Sequence, residues 1–114
     1  MEEFTKAERR ELRELGGRAY EAEAGRLLQE LDAEFERWRQ GDVLSSDLIT
    51  TIHEFHQHQA RDLWSIYRTM SPPQAVARGV GFGFIEAREV SDTLRAKLQG
   101  EIDFYEDWSR REDV

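Results

Sequence analysis

A chain of 114 residues, 35% charged and 11% aromatic, suits one folded helical domain and is too rich in large apolar rings to be disordered. The net charge is −8 with both signs interspersed, so no nucleic-acid partner is expected, and the absence of cysteine removes disulfides, thiolate metal sites and cysteine nucleophiles. No apolar run reaches the roughly 20 residues a membrane span requires, and the start of the chain lacks a signal-peptide hydrophobic stretch, so no membrane partner and a cytoplasmic location are expected.

The pattern along the chain predicts an all-α fold, a four-helix bundle-like single domain over residues 1–114. The first helix opens at Thr5-Lys6-Ala7-Glu8, a capping-box pattern in which Thr5 caps a backbone N–H and Glu8 reaches back. Apolar residues then recur every three or four positions from Leu12 to Trp38. Gly16-Gly17 interrupts this run at a helix cost of roughly 1 kcal/mol per glycine, which predicts a kink or short break there. Gly41 suits the position just past the helix end, and Ser45 or Ser46 is the expected cap of the second helix. Ser71-Pro72-Pro73 ends that helix near Met70 and starts the third, with Ser71 as cap and proline in the first turn. The third helix is expected to end between Gly83 and Arg88. Ser91 caps the fourth, which carries Leu94, Leu98, Ile102, Tyr105 and Trp108 at helical spacing.

The three histidines fall within six residues of the second helix, at His53, His56 and His58. At about 100° per residue, apolar side chains of this helix fill half its circumference, against a stripe of about 100° on an ordinary surface helix. A helix of this kind needs neighbours on two sides. His56 and Gln59 fall inside that apolar arc, where a polar side chain needs a hydrogen-bonding partner; the bland reading is a satisfied core pair. His53 lies at its edge beside Trp64. His53 and His56, at i and i+3, are spaced to hold one divalent metal ion together with a carboxylate from another helix or subunit. His58 falls on the polar face, within reach of Glu54 and Asp62. Two sharper motifs fail. A zincin needs histidine four positions after His53, where Gln57 stands, and a di-iron bundle needs an acid three positions before a histidine, which none of the three has.

On the third helix, Ala75, Gly79, Gly83 and Ala87 recur every four residues, a small-residue stripe that permits close backbone approach, either to the second helix or to another subunit. The glycines do not match a phosphate-binding fingerprint. The sequence offers no nucleophile–base pair, so a non-enzymatic protein is expected. The first helix, about 36 residues and 54 Å, outruns a second of about 25 residues and 38 Å, which points to a homodimer. The leading expectation is therefore a homo-oligomeric assembly or protein-interaction module. It would use Gln59, Trp64, Gly79 and Gly83 at its contacts, with itself or another protein as partner. The alternatives are a metal- or small-ligand-binding protein using His53 and His56, and an acidic neutraliser of a basic partner.

Overall fold

The computed structural model describes residues 3–112, and among them it is all-α with four helices and no strand. Helix α1 runs Lys6–Arg39. Helix α2 covers residues 45–69 as an α-helical segment Ser45–Glu54, a π-helical segment Phe55–Ala60 and a second α-helical segment Arg61–Thr69. Helix α3 is Pro72–Gly81, a short 3₁₀ turn follows at Ala87–Glu89, and α4 is Asp92–Glu112.

The helix ends obey local chemistry. At the start of α1 the Thr5 N–H donates to Glu8 Oε1 at 2.8 Å, and the Glu8 N–H donates to Thr5 Oγ1 at 3.0 Å. Helix α1 then continues without a break through Gly16 and Gly17. It ends on Gly41 at φ +81°, where the Asp42 N–H reaches the Arg37 carbonyl at 2.9 Å and the Gly41 N–H reaches that of Trp38 at 3.0 Å. This is a Schellman closure, and glycine takes the left-handed position without a Cβ penalty. Gly83, at φ +84°, closes α3 the same way, with Phe84 N–H on the Gly79 carbonyl at 2.8 Å and Gly83 N–H on that of Val80 at 3.1 Å. At the start of α3, Ser71 and Gln74 form a reciprocal box, Gln74 N–H to Ser71 Oγ and Ser71 N–H to Gln74 Oε1.

The expected serine cap of α2 is replaced by another solution. The residue flanking the helix is Leu44, whose N–H donates to Asp47 Oδ2 at 3.2 Å, while the Ser45 hydroxyl accepts the Trp38 indole N–H at 3.0 Å. Both serines lie inside the first turn and not at the flanking position, so the cap bond available is the one from the Leu44 N–H to the Asp47 carboxylate.

The described residues divide into two compact units, and α1 contributes to both. The first, residues 3–22 and 70–112, packs the start of α1 with α3 and α4. It holds twelve of the fourteen fully buried apolar side chains, among them Leu12, Leu15, Val76, Leu94, Leu98 and Ile102. The second unit, Glu23–Thr69, is an antiparallel hairpin of the later part of α1 with α2. Tyr67 Oη donates to Glu23 Oε1 at 2.8 Å at its open end, and Trp38 bonds Ser45 at its turn. It fully buries only Leu48 and Leu63.

Candidate functional site

The π-helical segment Phe55–Ala60 contains His56, His58 and Gln59, with His53 just before it. π segments are rare and concentrate at functional positions. Here a local cause is visible. An unbroken α-helix continuing from Leu48, Ile52 and Phe55 would turn Gln59 inward, where an unmatched amide costs free energy. The wider turn brings the buried Leu63 to the inner side instead, and leaves Gln59 exposed. The expected buried His56–Gln59 pair is thereby overturned: both side chains are exposed. The same change of pitch removes the expected His58 ladder, since residues four apart no longer stack, and no ion pair joins His58 to Glu54 or Asp62.

His53, His56 and His58 are all exposed, and none makes a hydrogen bond or ion pair to another described residue. Among the described residues no three histidine, aspartate or glutamate side chains converge as a metal-ligand set. His53 and His56 therefore have no third donor beside them among the described residues. His56, Gln57, Ala60, Arg61 and Trp64 line one shallow depression, which places them on a common outer face of α2. Trp64 is 55% exposed, with the Arg68 guanidinium 4.7 Å from its ring centroid. Ile49 is 67% exposed, and Leu28 on α1 is 56% exposed. The hairpin thus carries large apolar side chains that its own two helices do not cover.

The small-residue stripe of α3 resolves into different roles. Gly79 sits where a Cβ would lie 3.0 Å from both Ala19 Cβ and Ile85 Cδ1, so it packs on α1 within the first unit and not on the second helix as expected. Gly83 is exposed, with open space where a Cβ would stand, so its role is the left-handed helix end and not close packing. The closest approach belongs to Gly81, which the spacing of four passes over. A Cβ there would fall 2.4 Å from Tyr105 Cβ and 2.9 Å from Glu106 N, against the backbone of α4.

Compared with protein-family models, curated proteins and solved structures, the chain matches none. The reading of the site therefore rests on its own geometry.

Two structural acids lie outside the sequence-predicted sites. Glu8 is only 5% exposed and accepts from Lys97 Nζ at 2.7 Å. That bond, with the Thr5 N–H next in weight, lowers the Glu8 pKa to about 2. Lys97 Nζ also donates to the Glu3 carbonyl and stands 5.6 Å from the Phe4 ring centroid, fastening the start of α1 to α4. Glu11 accepts from both the N–H and the hydroxyl of Ser91, each at 2.7 Å, so the predicted cap residue of α4 is itself held by α1. The Thr5-x-x-Glu8 pattern signals the cap, but no pattern signals the partner of Glu8 across the fold. A further aromatic group, Phe82, Phe104, Tyr105 and Trp108, packs ring on ring at centroid distances of 5.2 to 6.2 Å. All three tryptophans stand at least 40% exposed.

No helix is long and apolar enough to cross a membrane among the described residues.

Proposed function

We propose that this protein is a homo-oligomeric assembly module that works through protein–protein contact and not through catalysis. The observation that carries the reading is the hairpin Glu23–Thr69, which fully buries only Leu48 and Leu63 while Leu28, Ile49 and Trp64 each remain more than half exposed. Two helices alone bury too little to offset the entropy of ordering them, since helix stability in proteins comes chiefly from packing an apolar face. Association with a second hairpin gives the four-helix arrangement in which such faces are covered. Light scattering on the eluting protein tests this. The expected mass at micromolar concentration is twice the chain's 13.4 kDa. A single species at the monomer mass across the concentration range refutes it.

A second reading is favoured by one feature: His53 and His56 are exposed, one helical turn apart, and uncommitted to any hydrogen bond among the described residues. They suit a divalent cation such as zinc or nickel, with the remaining donors supplied by another copy or a ligand. Metal that binds the folded form raises the melting temperature by mass action. The expected outcome is a rise with zinc in the wild type that is lost in His53→Ala and in His56→Ala but kept in His58→Ala. A melting temperature indifferent to zinc and nickel removes this reading.

A further inference from the structure

We propose that two copies of the chain meet through the outer face of α2 in antiparallel register, about a two-fold axis passing between His56 and Gln57. This rests on the homo-oligomer reading and specifies its face and geometry. In a two-fold contact, residue i of one copy touches residue j of the other and the reverse. An antiparallel helix pair therefore matches positions equally far on either side of the axis.

The outer face of α2 has that symmetry. Ile49 lies seven residues before His56, and Trp64 lies seven residues after Gln57. These are the two large apolar side chains that α2 leaves more than half exposed. His53 lies three residues before His56, and Ala60 three after Gln57. In this register Ile49 of one copy packs on Trp64 of the other, the His53 ring lies over the small Ala60, and His56 of each copy meets Gln57 of the other across the axis. Bulk meets bulk at the ends and a ring meets a methyl group nearer the centre. The depression lined by His56, Gln57, Ala60, Arg61 and Trp64 is then the groove that receives the second helix.

Charge agrees with a like partner. Glu54 and Arg61 are both exposed on α2. Glu54 of one copy falls within about 3 Å, measured along the axis, of Arg61 of the other, well inside the reach of the two side chains. The symmetry makes this pair twice. From Leu48 to Thr69 the acids Glu54 and Asp62 balance the bases Arg61 and Arg68, so this stretch is neutral, and Asp47 at the start of α2 brings the helix only to −1 in a chain of net charge −8. A neutral, self-complementary face fits a second copy better than the basic partner that the whole-chain charge suggests.

The native chain has no cysteine, so single-cysteine variants give an unambiguous test. Gln57→Cys is expected to form a covalent dimer with itself under mild oxidation. Two copies of Ile49→Cys would stand about 22 Å apart, beyond the roughly 7 Å Cα separation a disulfide allows, and should not link. A mixture of Ile49→Cys with Trp64→Cys should link only as the mixed pair. Glu54→Arg and Arg61→Glu should each weaken dimerisation about tenfold, and the double variant should restore it. Self-linking of Ile49→Cys would mean a parallel pair and overturn the proposal. A dimer by light scattering that links at none of these positions overturns the register and leaves the homo-oligomer standing. A monomer by light scattering overturns both.

Discussion

The glycines of this chain make a graded series in which one added methyl group should run from stabilising to severely destabilising. At Gly17 nothing lies within 4 Å of an added Cβ, and at Gly16 the nearest atom, Ala75 Cβ, is 3.9 Å away, an ordinary contact. Both positions are interior to α1, so Gly16→Ala and Gly17→Ala should each stabilise by up to about 1 kcal/mol through helix propensity. Gly79→Ala gains the same propensity but meets Ala19 Cβ and Ile85 Cδ1 at 3.0 Å. Ile85 can swing aside and Ala19 cannot, so an overpacking cost of about 1 kcal/mol should leave the net change near zero. Gly81→Ala meets backbone atoms of Tyr105 and Glu106 that no rotamer change can move, and α3 must lift away from α4. Its cost belongs at the upper end of the overpacking range, about 3 kcal/mol. Urea unfolding followed by far-ultraviolet circular dichroism, at one fixed protein concentration, measures the series. Gly81→Ala should lower the midpoint by roughly 1–2 M, given the urea dependence typical of small proteins. A Gly81→Ala midpoint equal to that of the wild type would refute the packing of α3 on α4 described above. A Gly17→Ala variant less stable than wild type would refute the free passage of α1 through its glycine pair.

Gly83 should be costly for a different reason: at φ +84° with open space around it, Gly83→Ala and Gly83→Leu should lose the same amount, about 1–2 kcal/mol, and a leucine loss much larger than the alanine loss would contradict the helix-end role. Asp47→Ala removes the acceptor of the Leu44 N–H and should cost about 1 kcal/mol, whereas Ser45→Ala loses only an exposed bond from Trp38 and should cost about 0.5 kcal/mol; the reverse order in thermal melts would restore serine as the cap. Glu8 has a folded-state pKa lowered from 4.5 to about 2, so its contribution is complete above pH 4.5 and is lost as the pH falls from there through 2. The melting temperature of the wild type should therefore drop more steeply over that interval than that of Glu8→Gln, and parallel curves for the two proteins would show that the Lys97 contact contributes nothing to stability.

What could be read from the sequence was what short-range chemistry determines. Periodic apolar residues gave the four helices, and Thr5-x-x-Glu8, Gly41 and Ser71-Pro72-Pro73 gave helix ends that depend on neighbours a few positions away. A constant pitch from Leu48 to Met70 would place His56 and Gln59 inside the apolar arc, and the helix does not keep that pitch. The π segment moves the inner face by about one residue, and what selects it is the clash between one pitch and two apolar stretches, which no motif announces. Gly83 and Gly79 share a spacing but not a role, since one ends a helix in the left-handed conformation and the other meets Ala19 from a distant part of the chain. The Lys97–Glu8 and Ser91–Glu11 contacts span 89 and 80 residues, and helical periodicity says nothing about which acid meets which donor at that separation. Of the candidate site, the clustering of histidines and Trp64 on α2 was legible; their exposure was not.

The uneven distribution of buried side chains also sets how the backbone opens. Amide hydrogens near Leu94, Leu98 and Ile102 are shielded by a core that must come apart before they exchange with solvent. Those between Glu23 and Thr69 are held by two helices with little burial between them, and need only a local separation. The chain should thus present two classes of exchange in one cooperative sequence of helices. If a second copy closes over α2, only the faster class should slow as the protein is concentrated, while the slower class stays fixed. Concentration, more than temperature, would then govern whether this half of the molecule is a solid surface or a transient one.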